Sequence, residues 1–145
     1  MADGQSYFLL MLGLSVLAYF GFSTPPIINT PVTYLGLLFV IAGLFLCCWT
    51  RSVLIKNHTT LSPFEIPGAL VTSGPFRFSR NPVYLGMAAI LLGTAILMGT
   101  GISFIFPLLF IVIMEVRFIP LEEKTLERVF GEEFIHYKRT VRKWI

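Results

Sequence analysis

The chain has 145 residues, of which 55% are hydrophobic and 13% are charged, and its formal net charge is +3. Soluble domains carry about 25% charged residues, so this composition excludes an ordinary soluble domain and indicates an integral membrane protein. Backbone polar groups inside a bilayer must be satisfied within the structure itself. We therefore expect residues 1–145 to form a single membrane domain, whose functional site is built from spanning helices and their connecting loops.

Four apolar segments predict an all-α bundle of four transmembrane helices. The expected spans cover residues 7–22, 32–49, 84–101 and 102–116. The second and third approach the roughly 20 residues that a spanning helix requires, and the other two need their flanks to reach across. Breaker residues fill the two short connections, since residues 23–31 are proline-rich and residues 99–101 form a minimal turn.

The distribution of positive charge predicts the orientation in the membrane. All eleven Lys and Arg residues lie either between the second and third spans or after the fourth. With four spans, the positive-inside rule places both termini of this multi-pass protein in the cytoplasm. The cytoplasmic loop 51–83 and the cytoplasmic tail 117–145 then share one aqueous face, where they can meet.

Two further patterns concern packing. Gly13, Leu17 and Gly21 are spaced four apart, which predicts that a neighbouring helix approaches the first span closely. In the tail, apolar residues recur every three or four positions over residues 126–144, with a break at Gly131. This periodicity predicts an amphipathic pair of helices that lies on the membrane surface or against the loops.

The main polar stretch between apolar segments is residues 70–86, LVTSGPFRFSRNPVYLG. Pro82 fixes its own φ and disfavours helical geometry at Asn81, so the chain must enter the third span by a set, non-helical path. The start of that helix can offer backbone N–H groups to a polar ligand. A basic loop that only lies against the membrane face explains the same residues, and both interpretations remain open at this point.

A second polar cluster lies at the end of the fourth span, where Arg117 precedes Glu122. A cation and a carboxylate that face one pocket can bind a zwitterion, whereas an Arg–Glu ion pair at the membrane border explains them equally well. His58 has no neighbouring Cys, His or paired carboxylate at ligand spacing, and His136 lies far along the chain in the tail. We therefore expect no metal site.

Two blocks at opposite ends of the last pair of spans resemble a known family. The first is GPFRFSRNPVYLG, from residue 74, and the second is EEKTLERVFGEEFIHYKRTVRKW, from residue 122. Their order and spacing are similar to those of the isoprenylcysteine carboxyl methyltransferase and phospholipid methyltransferase superfamily of integral membrane enzymes. The resemblance covers roughly residues 59–145.

The resemblance implies transfer of a methyl group from S-adenosylmethionine to a lipophilic or membrane-associated acceptor, at the cytoplasmic ends of the last helices and under the tail. It also implies which residues act. The cofactor-binding residues would be Gly68, Ala69, Leu70, Val71, Phe76, Asn81, Pro82, Val83, Tyr84 and Glu122. The catalytic residues would be Arg117 and Glu122, with Arg117 binding the substrate.

Two positions depart from the family pattern. Asn81 stands where the family usually has a histidine, and an amide cannot take up a proton near neutral pH. A mechanism that needs a base at this position is therefore excluded for this chain. Arg117 precedes Glu122 by five residues, whereas eukaryotic members of the family have a separation of four.

The acceptor remains open, because a prenylated cysteine, a phospholipid amine or a small thiol would each suit an apolar entrance. A carboxylate acceptor needs no base, whereas an amine or a thiol must lose a proton, and Glu122 or Glu115 would have to assist. We expect membrane lipids as partners and no nucleic acid.

Three other functions fit parts of the sequence. A small four-span transporter fits the chain's size, but it normally carries an ionisable residue deep within a span. A non-catalytic protein that binds anionic lipid fits the basic tail. A membrane reductase that uses a nicotinamide cofactor fits the general character of the C-terminal region, although the GTG at residues 99–101 is no dinucleotide fingerprint.

Overall fold

The computed structural model describes residues 4–22, 24–59 and 67–145. The regular secondary structure of these residues is helical, which confirms the all-α fold class for this part of the chain. Its α-helices are α1 (Gly4–Gly21), α2 (Leu35–Lys56), α3 (Pro82–Met98), α4 (Ile105–Ile113), α5 (Ile119–Phe130) and α6 (Glu132–Thr140).

Three described segments are long and apolar enough to cross a membrane, namely Gly4–Gly21, Val32–Lys56 and Gly101–Phe130. The helix α3 is also apolar, but its 17 residues make it shorter than these three. Many large apolar side chains are exposed on the outside of the bundle, among them Phe20 and Phe45, which are 81% and 66% exposed. Such exposure is unfavourable in water and suits lipid, so the chain is an integral membrane protein.

The helix α2 ends at Lys56 rather than at the predicted limit of residue 49. Its last turns contain Leu54, which is buried in a small apolar cluster with Phe76 and Phe134. Tertiary packing supplies most of the stability of a helix in a folded protein, and this contact extends α2 past its apolar segment. The extension brings the end of α2 against the loop before α3 and against the tail.

The helices α2 and α3 pack through two pairs of glycines. A Cβ atom on Gly43 would lie 2.5 Å from the carbonyl oxygen of Gly86, and one on Gly36 would lie 2.4 Å from that of Gly93. Small residues let helix backbones approach closely in a bilayer, where van der Waals packing replaces the hydrophobic effect as the main attraction between helices. These contacts fix α3 against α2 at both ends of their shared surface.

The close helix approach predicted at Gly13, Leu17 and Gly21 of α1 is wrong. A Cβ atom on Gly13 or Gly21 would meet no described atom of another element within 4 Å. The first helix instead packs through aromatic side chains, and the ring centres of Tyr7 and Phe118 lie 5.3 Å apart. Since α1 is apolar on all sides, glycine spacing alone could not identify the face that meets a neighbour.

The helix that contains the predicted fourth span continues beyond residue 116. The helix α4 leads into a π-helical turn, Met114–Phe118, which leads directly into α5. Pro120 cannot donate a backbone hydrogen bond and would clash with the carbonyl four residues earlier in a regular helix. The wider π turn before it accommodates the proline. A single long element therefore joins the apolar region to Glu122.

The helices α5 and α6 form the predicted pair in the tail. Gly131 separates them with a φ of +53°, a conformation that glycine adopts without steric cost. The main apolar core lies between α1, α3 and the α4–α5 element. The smaller cluster lies between α2, the loop before α3 and α6, and its buried members are Leu54, Val71, Phe76, Phe134 and Tyr137.

Replacing Gly43 by alanine should destabilise the protein, because the added Cβ would lie 2.5 Å from the carbonyl oxygen of Gly86, and the backbone of α3 cannot move aside as a flexible side chain could. Overpacking of this kind costs roughly 1–3 kcal/mol. Gly13→Ala is the matched control, since its Cβ meets no described atom of another element and alanine favours a helix. Thermal unfolding in detergent, followed by circular dichroism, should show a lower Tm for Gly43→Ala only. Equal Tm values would contradict this packing.

Candidate functional site

The loop before α3 follows the non-helical path that its prolines predict. Gly74, with a φ of +61°, opens the short 3-10 turn Gly74–Arg77, which buries Phe76. Asn81 has a φ of −125° and a ψ of 55°, outside helical geometry, and Pro82 starts α3. Amides in the first turn of a helix have no acceptor within that helix. The start of α3 is therefore a place where a polar ligand can find donors.

The end of this loop is hydrogen-bonded to the C-terminal segment. The backbone N–H of Arg80 donates to the carbonyl oxygen of Arg142 at 3.0 Å. The Ser79 hydroxyl and the Asn81 side-chain amide both donate to the carbonyl oxygen of Lys143, at 3.2 and 3.1 Å. We call these two segments the clasp; they are residues 79–81 and 138–144.

Arg80 is the centre of the clasp. Its Nη1 donates to the carbonyl oxygens of Lys138 and Val141, at 2.7 and 3.1 Å. Its Nη2 pairs with Glu123 Oε1 at 2.8 Å, and the side chains of Arg80 and Glu123 are only 9% and 12% exposed. Removing one partner of a buried ion pair leaves an uncompensated charge, which costs far more than losing a surface pair. The pair therefore holds α5 and the C-terminal segment to the loop.

Three further hydrogen bonds hold the tail in place. The buried Tyr137 hydroxyl donates to the carbonyl oxygen of Phe76 at 2.7 Å. Burial raises the pKa of Tyr137 to about 12, so the hydroxyl keeps its proton and remains a donor. Beyond α6, the Lys143 ammonium and the Trp144 indole N–H both donate to the carboxylate of Glu115, at 2.6 and 2.9 Å.

A cavity of about 500 Å³ lies between α2, the loop before α3, the first turn of α3 and the tail helices. Small-molecule sites in proteins typically have volumes of about 300–1,000 Å³. The cavity wall is mostly apolar and includes four charged side chains from the described residues, which are Arg51, Arg80, Glu122 and Glu123. The cavity is therefore of the size and character of a site for a ligand with both apolar and charged parts.

The structure brings together the two stretches that the family resemblance assigned to one cofactor. All of the predicted cofactor-binding residues except Gly68 line the cavity; they are Ala69, Leu70, Val71, Phe76, Asn81, Pro82, Val83, Tyr84 and Glu122. Gly68 is exposed, and a Cβ atom on it would lie 2.9 Å from the carbonyl oxygen of His58. The contact of these residues with a cofactor stays a prediction.

Glu122 and Tyr84 meet at the cavity wall. The Tyr84 hydroxyl donates a hydrogen bond to Glu122 Oε1. Tyr84 is buried and Glu122 is half-buried, so the carboxylate has lost part of its hydration. A cationic ligand in the cavity would offset that loss. At the start of α1, Gly4 lies so close to Tyr84 that a Cβ atom there would be 2.5 Å from the ring.

Arg117 is not among the described residues that line the cavity. It is exposed, its Nη1 donates to the Tyr7 hydroxyl at 3.4 Å, and its guanidinium carbon lies 6.0 Å from the ring centre of Tyr7. Glu115, the other carboxylate considered for proton transfer, is bound to the end of the clasp instead. The structure thus brings neither residue to the cavity, and the catalytic and substrate-binding roles of Arg117 stay predictions.

The histidines of the chain are separate from this cavity. His58 lies just after α2 and His136 lies on α6, and both are exposed. In the part of the chain that the structure describes, no group of three or more His, Cys, Asp or Glu side chains could hold a metal ion.

Three charged lining residues were missed by reasoning from sequence. Arg80 and Glu123 stand next to the predicted Asn81 and Glu122, but their importance lies in a buried ion pair between distant parts of the chain, which the sequence does not show. The adjacent glutamates of α5 provide one carboxylate for the cavity and one for this arginine. Arg51 was missed because a cation at the end of a spanning helix is usually an anchor at the membrane border.

The fold defines an integral membrane protein with a cavity of small-molecule size, bordered by the loop before α3 and by the tail helices. The sequence model of the phospholipid methyltransferase family matches residues 32–133, which include most of the residues that build the site. The chain belongs to the phospholipid methyltransferase family.

Two relatives show the extent of the similarity. The protein-S-isoprenylcysteine O-methyltransferase of Saccharomyces cerevisiae is 32% identical over 118 residues, which cover 75% of this chain and 46% of the yeast protein. An uncharacterized protein of Haemophilus influenzae is 33% identical over 63 residues, which cover 43% of this chain and the whole of that protein. The chain thus spans about half the length of the yeast relative. No solved structure has a significant match to it.

Replacing Glu123 by glutamine should loosen the clasp, because the buried Arg80 would lose its counter-charge. We expect the protection of the backbone amides in residues 138–144 to fall by roughly 3 kcal/mol, measured by hydrogen exchange of the protein in detergent. Glu127→Gln is the matched control on the same helix. The Glu127 side chain is 47% exposed and its carboxylate lies 3.8 Å from the ammonium of Lys138, so this ion pair is exposed and weak. Unchanged exchange in Glu123→Gln would show that the ion pair does not hold the tail.

Proposed function

We propose that the protein transfers a methyl group from S-adenosylmethionine to a lipophilic or membrane-associated acceptor. The observation that carries this proposal is the single cavity that joins the loop before α3 to Glu122 on α5. Membership of the phospholipid methyltransferase family and the similarity to a yeast isoprenylcysteine O-methyltransferase support it. The proposed donor-binding residues are the predicted ones, which are Gly68, Ala69, Leu70, Val71, Phe76, Asn81, Pro82, Val83, Tyr84 and Glu122.

The chemistry of the cavity wall fits this donor. S-adenosylmethionine supplies a methyl group on a positively charged sulfur, and it also carries an ammonium, a carboxylate and an adenine ring. Glu122 offers a carboxylate to positive charge, and Phe76 and Tyr84 offer aromatic faces to an adenine or a sulfonium. Arg80 lines the cavity, and its Nε is buried with no hydrogen-bond partner among the described residues. That donor and the amides at the start of α3 suit a carboxylate.

The residues around the cavity set up the reaction before any ligand binds. The hydrogen bond from Tyr84 orients the carboxylate of Glu122, so little reorganisation is needed when a cation arrives. The clasp holds the tail against the loop and limits the access of water, which strengthens charge interactions inside the cavity. Holding a nucleophile in line with a methyl group then supplies most of the rate enhancement through proximity.

Asn81 has a structural part in this mechanism rather than a part in proton transfer. Its side-chain amide donates to the carbonyl oxygen of Lys143 in the clasp, and it cannot accept a proton near neutral pH. A carboxylate acceptor would need no base. An amine or thiol acceptor would pass its proton to Glu122, because Glu123 is paired with Arg80.

The proposal includes a four-span arrangement with both termini in the cytoplasm. The helix α3 has 17 residues, or about 25 Å of helix, and its packing against α2 supports its placement within the bilayer. The Lys and Arg residues of the loop and the tail support a cytoplasmic position for the clasp. A lipophilic acceptor would then enter from the lipid between helices, while the soluble donor would enter from the cytoplasm.

Family membership favours methyl transfer over the three other functions considered from the sequence. A transporter, a non-catalytic lipid-binding protein and a nicotinamide-dependent reductase each account for the apolar helices or the basic tail. None of them accounts for a match to a methyltransferase family over residues 32–133.

Replacing Glu122 by glutamine should weaken the binding of S-adenosylmethionine by roughly 10–100-fold, because a hydrogen bond to a charged group contributes about 1.5–3 kcal/mol. Glutamine keeps the size of the side chain and can still accept a hydrogen bond from Tyr84. The measurements are equilibrium binding of labelled S-adenosylmethionine to the purified protein and transfer of label to extracted membrane lipids.

Glu127→Gln serves as the control, since Glu127 lies on the same helix and outside the described cavity wall. Its binding and transfer should match those of the unaltered protein. Undiminished donor binding in Glu122→Gln would reject the proposed site. The absence of any donor binding by the unaltered protein would reject the proposed function.

A further inference from the structure

One face of α2 forms a wall of the cavity. The residues of α2 that line it are Cys47, Arg51, Leu54 and Ile55, which follow one another at intervals of four, three and one. This spacing puts them on a single side of a helix. Arg51 therefore lies on the same helix face as apolar residues, and it follows the apolar segment of α2 that ends at Trp49.

Arg51 differs from the other charged groups of the cavity in having no partner. Arg80 and Glu123 form an ion pair, and Glu122 accepts a hydrogen bond from Tyr84. Among the charged lining residues that the structure describes, Arg51 alone makes no ion pair or hydrogen bond through its side chain. A ligand in this cavity would thus meet a permanently charged guanidinium whose donors are all available.

Arg51 lies near the expected border of the membrane. The preceding Trp49 is an aromatic side chain at the end of the apolar segment, where Trp commonly marks the headgroup region. Leu54 and Ile55, one turn further on, extend the apolar wall beside the guanidinium. An amphiphile with its chain against apolar surface and an anion at the border would satisfy both features.

We infer that Arg51 binds the anionic group, a phosphate or a carboxylate, of an amphiphilic acceptor and thereby selects acceptors with that group. This inference rests on the proposed function, and it assigns the acceptor side of the cavity to α2. The proposed donor-binding residues belong to other elements of the cavity wall, namely the loop before α3, the first turn of α3 and α5. Arg117, which the family resemblance implied as the substrate-binding residue, lies over the ring of Tyr7 and outside the described cavity wall.

The test measures binding rather than catalysis. Oleoyl lysophosphatidic acid and monoolein have the same chain and differ by one phosphate, and oleate and oleyl alcohol make a second pair that differs by a carboxylate. Each is titrated against the full chain in a neutral detergent. The quantity of interest is the ratio of affinities within a pair, because it cancels the contribution of the apolar chain.

The unaltered protein should prefer the anionic member of at least one pair by about tenfold, as a charge-assisted hydrogen bond predicts. Arg51→Gln should bring that ratio close to one, and Arg51→Lys should keep part of it, because the positive charge remains but the planar guanidinium is lost. Lys56→Gln is the matched control, since Lys56 lies on the same helix and outside the described cavity wall, and it should leave the ratio unchanged. Circular dichroism checks that each variant is folded.

Three results would overturn the inference. The first is an unchanged ratio in Arg51→Gln, the second is a loss of the preference in Arg117→Gln instead, and the third is equally tight, Arg51-dependent binding of inorganic phosphate. Methyl transfer is assayed separately. An Arg51-dependent preference without any methyl transfer would reject the proposed function alone, whereas methyl transfer with a preference that ignores Arg51 would reject this inference alone.

Discussion

The buried ion pair between Arg80 and Glu123 is the interaction on which the site depends. Arg80 also binds two backbone carbonyls of the C-terminal segment, so its charge is satisfied only when the loop before α3, α5 and the end of the chain are all in place. An arginine left alone in this position would be strongly unfavourable. The pair thus makes the closure of the tail a condition for a stable loop, and the loop in turn forms one wall of the cavity.

The position of that loop depends in turn on how the helices pack. The glycine contacts between α2 and α3 fix the register of the two helices, and so the position of the first turn of α3 relative to the end of α2. The π turn before Pro120 lets α4 continue into α5, so that Glu122 lies beside the first turn of α3 and accepts a hydrogen bond from Tyr84. The cavity consequently forms where the end of α2, the start of α3 and the first turns of α5 come together, and the clasp joins the loop before α3 to the tail.

The sequence predicted much of this arrangement, and its failures have physical causes. Periodicity and proline chemistry correctly indicated the helical class, the non-helical path at Asn81 and the break at Gly131. The contact surface of α1 was wrong, because Gly13 and Gly21 lie on a helix that is apolar all round. Arg80, Glu123 and Arg51 were missed because their importance lies in tertiary partners, or in the lack of one, and a linear sequence shows neither.

The central claim is that the loop before α3 and α5 border one binding site for S-adenosylmethionine. Ultraviolet cross-linking of methyl-labelled S-adenosylmethionine to the full chain, followed by peptide mapping, tests it most directly. The account predicts label in peptides that contain residues 67–84 and residues 119–130, and competition by unlabelled S-adenosylhomocysteine. Label confined to other peptides, or label that the competitor does not displace, would contradict it.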